Sequence, residues 1–233
     1  MAKKINTNNH FHTLSDIQSA CDIEGGETER RLCRITEEFR EGFDFIAKIE
    51  KSVSFFGSTR AKENNPNYQL ARKMAKRFVR ELDYSIVTGG GPGIMEAANR
   101  GAKEAGGKSY GLLIKLPKGQ KTNPYLTDKQ EFKYFFARKV ALAFAARLYI
   151  FLPGGYGTLD EFFELITLIQ TKKIERIPIV LMGSQFWVPL EKFINYHLLV
   201  QNEAIDEQDL GLFTITDNEQ TVIEIAKYAA ARK

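Results

Sequence analysis

The segment Arg147–Gln170, RLYIFLPGGYGTLDEFFELITLIQ, changes character abruptly near its middle. A short apolar run ends at Pro153, three glycines follow within residues 154–157, and a helical pattern opens with Thr158-Leu159-Asp160-Glu161. Glycines at such a corner let a backbone approach a ligand closely. A carboxylate one helical turn further on would face that ligand. The segment therefore predicts a strand, a ligand-binding turn and a helix over residues 158–171.

Short apolar runs alternate with helical patterns along most of the chain. The runs that predict strands are SVSFFG, YSIVT, SYGLLI, RLYIF, IPIVL and LFTITD. The predicted helices cover residues 68–82, 94–105, 135–146, 158–171 and 187–200, and a last helix closes the chain. Continuous apolar strands separated by helices of this length are typical of a parallel sheet covered on both faces. We expect an α/β, doubly wound, Rossmann-like domain over residues 51–233.

An amphipathic helix is predicted ahead of the first strand, over residues 28–50, because apolar residues recur there every three or four positions. Residues 1–27 are polar and are expected to form a flexible N-terminus. The segment Pro117–Glu131, PKGQKTNPYLTDKQE, is predicted to be a long polar loop, and loops of this length are often lids, although some merely connect.

Composition excludes several classes of protein. The net charge of +4 suits an anionic small molecule and falls short of a nucleic-acid-binding surface. Cys21 and Cys33 form no CxxC pair, so neither a disulfide framework nor a zinc site is predicted, and His10 and His12 lie in the polar N-terminus. The most apolar stretch is interrupted by Arg147 and is shorter than the roughly 20 residues of a membrane span. Because the N-terminus lacks the apolar region of a signal peptide, we expect a soluble cytoplasmic protein. The sequence contains no metal-binding or cofactor motif, so we also expect no metal and no cofactor.

Three glycine-bearing turns follow predicted strands: GST at Gly57, GGGPG from Gly89 and PGGYGT from Pro153. In open parallel sheets, ligands bind beyond the carboxyl ends of the strands, where helix N-termini attract phosphate. Any one of these turns could instead be a tight connection. GGGPG lacks the spacing of the dinucleotide fingerprint, which would need glycine at Ile94, and no GxxxxGK[ST] motif occurs. Both absences argue against NAD binding and against ATP hydrolysis.

Three charged side chains near the turns have both structural and chemical interpretations. Thr158-x-x-Glu161 has the spacing of a capping box, and spacing alone favours capping over chemistry. Arg138 and Lys139 lie on an otherwise apolar predicted helix, where they could extend along the helix edge to water or point toward an anion.

The combination of GGGPGIMEA, ARK and PGGYGTLDE resembles the LONELY GUY (LOG) family, and in particular its larger, bacterial-type branch. Its signatures are a GGGxxGLM-like turn and PGGxGTxxE. Characterised members cut the N-glycosidic bond of cytokinin riboside 5′-monophosphates or AMP, although many were labelled lysine decarboxylases. The resemblance extends from about Ser52 to the last helix.

The resemblance implies a role for each matching position. Glu161 would be the catalytic carboxylate and Arg138 the catalytic cation. The implied substrate-binding residues are Ser58, Gly89, Gly90, Gly91, Gly93, Lys139, Gly154, Gly155, Tyr156, Gly157 and Thr158. The family's MHxRK segment appears here as Phe135-Phe136-Ala137-Arg138-Lys139, so the cations are kept and the Met-His pair is not. Ala146-Arg147 stands where members often have Ser-Asp, and the acidic residue that plant members carry in the loop after the third strand is missing.

The expected function is hydrolysis of AMP or cytokinin ribotides to free base and ribose 5-phosphate. The chemistry fits, because cleavage of the C1′–N bond develops positive charge on the ribose and negative charge on the base. A non-catalytic nucleotide or cofactor carrier with the same phosphate cradle is the alternative, and a single-stranded DNA binder is disfavoured by the modest charge. The family and the apolar faces of the N-terminal helix and of the helix over residues 135–146 also suggest a homodimer or higher homo-oligomer, although both faces could equally well cover the sheet.

Overall fold

The computed structural model of the protein describes residues 21–22, 26–116 and 121–230. Most of the predicted flexible N-terminus, with His10 and His12, lies outside these residues. The described part of the N-terminal extension is a helix, α1 (Glu27–Ile46), which ends earlier than the predicted span of 28–50.

Seven strands form one sheet in which every described pairing is parallel. The strands are Ser52–Phe56 (β1), Ser85–Thr88 (β2), Ser109–Ile114 (β3), Asp128–Phe132 (β4), Tyr149–Phe151 (β5), Ile179–Leu181 (β6) and Thr214–Ile215 (β7). Their order across the sheet is β4-β3-β2-β1-β5-β6-β7. The chain thus builds one half of the sheet outward from β1, returns, and builds the other half from β5.

Helices cover both faces of the sheet. They are Pro66–Leu82 (α2), Ile94–Glu104 (α3), Phe135–Phe144 (α4), Tyr156–Gln170 (α5), Ser184–Phe193 (α6) and Glu219–Ala230 (α7). One core joins the sheet to α2, α3 and α7, and the other joins it to α1, α4, α5 and α6. Strand side chains alternate between the two cores, as Phe55 and Phe56 do. The predicted doubly wound α/β fold is confirmed.

The strand order creates a switch point between β1 and β5. These two strands pair in register, with Ser54 opposite Tyr149 and Phe56 opposite Phe151. Because the connections leave this pair in opposite directions, a crevice opens beyond its carboxyl ends, which is where ligands bind in open α/β sheets. The GST turn follows β1 and the PGGYGT turn follows β5, so both border the crevice.

The end of the predicted loop at residues 117–131 is a strand instead. β4 pairs with β3 from Tyr110 opposite Asp128 to Ile114 opposite Phe132. Its sequence DKQEF is mostly exposed and charged, so no apolar alternation marks it as a strand. Charged side chains are usual on an edge strand, because they discourage pairing with another chain.

Two other predictions need correction. Cys21 and Cys33 form a disulfide, with their Cα atoms 5.7 Å apart. The spacing of the two cysteines in the sequence does not reveal this pairing. The helix predicted over residues 187–200 begins at Ser184, contains Pro189, and continues as a π-helix over Ile194–Gln201.

Within the described ranges, no helix combines the length and apolar character that crossing a bilayer requires. The same residues contain no group of three or more His, Cys, Asp or Glu side chains arranged to hold a metal ion.

Candidate active site

A cavity of about 970 Å³ occupies the crevice at the switch point. The GST turn after β1 and the PGGYGT turn after β5 form two of its walls. Arg138 from α4 and Glu161 from α5 also line it. The folded chain therefore brings the two implied catalytic residues and two of the three glycine turns around one space.

The PGGYGT turn leaves backbone exposed at the start of α5. The helix begins at Tyr156 with Gly155 as its N-cap, and no side chain caps it. No atom lies within 4 Å of the position that a Cβ would take on Gly155 or Gly157. Because the first N–H groups of a helix have no intrahelical partner and carry partial positive charge, this end of α5 is suited to bind an anion.

The remaining members of this turn differ in their surroundings. A Cβ on Gly154 would collide with the side chain of Thr158, so this glycine permits close packing within the turn. Thr158 is buried and lines the cavity, whereas the Tyr156 side chain is 94% exposed. Ser58, from the GST turn, lines the opposite wall, and its Oγ accepts a hydrogen bond from the Arg60 backbone N–H at 3.1 Å.

The GGGPG turn reaches the cavity only through Gly89. A Cβ on Gly89 would collide with Nη2 of Arg138 and with Sδ of Met95. The missing side chain therefore makes room for the guanidinium group. This glycine is required by a neighbouring protein side chain, which is a reason that sequence spacing could not show.

Gly90, Gly91 and Gly93 are buried and are not brought to the cavity lining. Gly93 has φ of +75° and lies against the Ser58 carbonyl, which accepts a hydrogen bond from Ile94 N at 3.0 Å. The Gly90 and Gly91 carbonyls accept hydrogen bonds from the backbone and the side chain of Asn123, both at 3.0 Å. These three glycines therefore shape the wall from behind.

Arg138 is buried rather than extended to water. Its side chain lines the cavity, only 9% of the residue is exposed, and Nε donates a hydrogen bond to the Leu112 carbonyl at 2.7 Å. Burial lowers the pKa of the guanidinium, and the Glu161 carboxylate opposes that shift. The interpretation of Arg138 as a cation at the helix edge is therefore wrong.

Glu161 is the sixth residue of α5, which rules out the capping box. The helix begins two residues before Thr158, so Glu161 lies beyond the first turn. The residue is 6% exposed and lines the cavity. Burial raises its pKa to about 7, although the positive charges of Lys139 and Arg138 pull it down. A carboxyl group poised near neutrality in a cleft is typical of functional sites.

Lys139 does not line the cavity, in contrast to its implied role in binding substrate. Its Nζ forms ion pairs with Asp160 Oδ2 at 2.7 Å and with Glu164 Oε2 at 3.2 Å. The side chain thus ties α4 to α5 beside the Glu161 carboxylate.

Several cavity residues were not predicted from the sequence. Arg60 directly follows the GST turn and adds an exposed cation to the rim. Asn65 and Asn67 add amide groups, and Asn65 also caps α2 by accepting from the Asn67 N–H at 2.9 Å. Phe135 and Phe186 add aromatic surface. Among these residues, only Arg60 could have been proposed as part of the site from the sequence, because it follows a glycine turn at the end of a strand.

A family model described as possible lysine decarboxylase matches residues 95–226, more than half of the chain. A cytokinin riboside 5′-monophosphate phosphoribohydrolase of Arabidopsis thaliana is 29% identical over 163 residues, or 69% of this chain and 71% of that protein. A protein of the same name from Rhodococcoides fascians is 25% identical over 150 residues, or 63% and 75% of the two chains.

Solved structures share the fold at lower identity. The molybdenum cofactor carrier protein of Chlamydomonas reinhardtii is 22% identical, with a TM-score of 0.57 over 78% of this chain and all of that one. DNA processing protein A of Streptococcus pneumoniae is 14% identical, with a TM-score of 0.52 over 91% and 86% of the chains. These structures show the architecture alone. The family match and the phosphoribohydrolase relatives confirm the resemblance carried by the glycine signatures, and the protein belongs to the LOG family.

Proposed function

We propose that the protein hydrolyses the N-glycosidic bond of purine nucleoside 5′-monophosphates, AMP or cytokinin ribotides, to the free base and ribose 5-phosphate. The observation that carries the proposal is the position of Glu161. Its carboxyl group is buried, has its pKa raised to about 7, and shares a cavity with Arg138 and the open N-terminus of α5. The relatives named as phosphoribohydrolases support the same reaction.

In the proposed complex, the substrate phosphate binds the N–H groups at Gly155, Tyr156 and Gly157. This contact is remote from the bond that breaks, so it supplies binding energy that fixes the sugar over the carboxylate. The absence of side chains at the two glycines leaves room for the phosphate oxygens. The partial positive charge of the helix end matches the charge of the anion.

The reaction replaces the C1′–N bond with a C1′–O bond to water, and the second proton of the water ends on the base. As the bond to the base breaks, C1′ gains positive charge, which the ionised Glu161 stabilises while it orients the water. Arg138 stabilises the charge that develops on the leaving purine. A guanidinium is a poor proton donor, so its contribution is electrostatic.

The decisive assay incubates the purified protein with AMP and measures adenine. We expect adenine and ribose 5-phosphate in equal amounts, and Glu161→Gln is expected to lower kcat by at least about 100-fold while the variant stays folded. Release of no base from any nucleoside monophosphate would remove the proposal. Unchanged turnover in Glu161→Gln would remove the role of the carboxylate.

A carrier that binds a nucleotide or a cofactor without converting it is the second candidate. The observation that favours it is the departure at Phe135 and Phe136, since Phe135 lines the cavity where the family has methionine. Calorimetry would then show tight binding of a nucleotide that is recovered unchanged.

We also propose that the protein self-associates through α1 and α4. The two helices pack through Phe39 and Phe136, with ring centroids 6.2 Å apart, and through Phe43 and Phe144 at 5.8 Å. Even so, large apolar side chains of these two helices remain between 42% and 58% exposed, namely Leu32, Phe43, Phe136 and Phe144. Contiguous exposed apolar surface of this kind often marks a protein interface.

A further inference from the structure

A buried carboxylate on α1 contacts the helix that carries Arg138. Glu38 is 2% exposed and lies outside the region matched by the family model. Its two carboxylate oxygens accept hydrogen bonds from the backbone N–H of Lys133, both at 3.1 Å. Oε2 also accepts from the backbone N–H of Tyr134 at 2.9 Å. These two residues immediately precede the first residue of α4.

The N-terminus of α4 has no local cap. Tyr134 is the N-cap residue, and its side chain makes no capping hydrogen bond. The first turn also lacks an acidic residue that would complement the helix dipole. Glu38 instead places a carboxylate at this helix end, where it binds the N–H groups of the N-cap residue and of the residue before it, from a position 95 residues earlier in the chain than Lys133. Burial raises the pKa of Glu38, and the two backbone hydrogen bonds oppose that shift.

One hydrogen bond connects this anchor to Arg138. The carbonyl of Tyr134, whose N–H is held by Glu38, accepts a hydrogen bond from Arg138 N at 3.2 Å. The Arg138 side chain then reaches across to the Leu112 carbonyl. Movement of the first turn of α4 would therefore displace the guanidinium group.

The approach of α1 to β4 and α4 is close at Gly42. A Cβ on Gly42, one turn after Glu38, would lie 2.9 Å from the ring of Phe132 and 3.6 Å from the Cβ of Ala141. The glycine thus allows α1 to pack tightly against β4 and α4. A carboxylate on α1 can reach the backbone at the start of α4 because the helices approach this closely.

We propose that Glu38 is a positioning residue for Arg138, which it holds in place by anchoring the N-terminus of α4 to α1. The N-terminal helix is then part of the framework of the active site. The effect on turnover rests on the proposed function, whereas the anchoring of α4 does not.

The test compares Glu38→Gln with Glu37→Gln. The second variant makes the same chemical change on the neighbouring residue, whose carboxylate instead pairs with Arg40 on the same helix. In Glu38→Gln one acceptor oxygen becomes an amide donor that opposes a backbone N–H. We expect kcat for AMP to fall by about tenfold with KM changed less than twofold, because Arg138 acts on the leaving base and the phosphate is bound at α5.

Amide hydrogen exchange provides a readout that does not depend on activity. We expect faster exchange at the Arg138 amide in Glu38→Gln and unchanged exchange in Glu37→Gln. Glu38→Asp, which keeps the charge on a shorter side chain, should restore part of both kcat and protection. It also serves if Glu38→Gln does not fold.

The outcomes separate the two proposals. If the wild-type protein releases no adenine, the proposed function fails, and faster exchange at Arg138 still supports the anchor. Unchanged exchange in Glu38→Gln overturns the anchor whatever the activity. Faster exchange with an unchanged kcat, in an active protein, overturns the positioning role and leaves Glu38 as a helix cap.

Discussion

Glu161 is almost completely removed from water, and this has a consequence that can be measured without substrate. Burial raises its pKa from 4.5 to about 7, so the folded state holds this proton more tightly than the unfolded state does. A raised carboxyl pKa contributes stability that is fully present below the unfolded pKa and is lost as the pH rises through the folded one. The unfolding free energy of the wild type should therefore fall between pH 5 and pH 8 by on the order of 3 kcal/mol through this group.

The neutral variant Glu161→Gln isolates that contribution. Groups that do not interact with Glu161 titrate alike in both proteins, so the difference between their unfolding free energies reports Glu161 together with its interactions with the neighbouring charges. Urea unfolding at pH 5 and at pH 8 should show the variant gaining stability relative to wild type at the higher pH. Parallel pH dependences would show that the folded pKa is not raised.

Lys139 is predicted to tune the carboxylate, a role different from the substrate contact first expected. Four charged groups act on Glu161. Arg138 and Lys139 belong to α4, and Asp160 and Glu164 belong to α5. The charge of Lys139 lowers the pKa of Glu161, so Lys139→Met should raise that pKa. Because kcat/KM increases as Glu161 ionises, this increase should occur at a higher pH in the variant than in the wild type. The measurement is the pH profile of adenine release, with Lys139→Arg as the charge-preserving control. Superimposable profiles for Lys139→Met and wild type would contradict this role.

The sequence located some residues of the site and missed the reasons for others. Glu161 could be placed near a glycine turn because it follows PGGYGT closely in the sequence, and Arg138 because it precedes the strand that leads into the same turn. The capping interpretation was wrong because the start of α5 depends on the backbone of Gly155, where no side chain marks the N-cap. The requirement for Gly89 depends on Arg138, which is distant in sequence, so spacing could not reveal it.

At the scale of the element, the start of α5 should show a conflict between stability and binding. A Cβ on Gly157 would meet no atom within 4 Å, and the residue lies in the first turn of the helix. Gly157→Ala should therefore leave the fold intact and stabilise it by up to about 1 kcal/mol. The added methyl group would occupy space assigned to the phosphate, so KM for AMP should rise several-fold.

Thermal unfolding and steady-state kinetics test both halves of this prediction. Binding of adenosine, which lacks the phosphate, is the control and should be unaffected by Gly157→Ala. An unchanged KM for AMP would place the phosphate elsewhere in the cavity.

Elements with an apolar pattern were predicted well, and those without one were not. The central strands are buried on both faces, so continuous apolar runs identify them. β4 is an exposed edge strand of charged residues, and its pairing depends on β3 rather than on its own pattern. The contact between Glu38 and α4 is likewise tertiary, since it joins residues 95 positions apart.

At the scale of the whole molecule, the alternation of strands and helices was sufficient to predict a doubly wound sheet. It did not establish which strands are neighbours, and the location of the crevice depends on that order. The pairing of β1 with β5 brings two turns that are almost 100 residues apart to the same cavity. The site is therefore a product of topology, to which each turn contributes only a part.

The aromatic surface of α1 and α4 leads to a prediction about assembly. Phe136 and Phe144 are 46% and 51% exposed on the face opposite the core that contains α7. If this surface is buried between two copies, a charge introduced there must be desolvated in the complex, which costs several kcal/mol.

The double variant Phe136→Glu/Phe144→Glu should then sediment as a single chain of 26.5 kDa, while the wild type sediments as a dimer or larger. Tyr228→Glu, at a side chain 77% exposed on α7, is the matched control and should keep the wild-type mass. A wild-type protein that sediments as one chain at micromolar concentration would show that this surface does not mediate stable self-association.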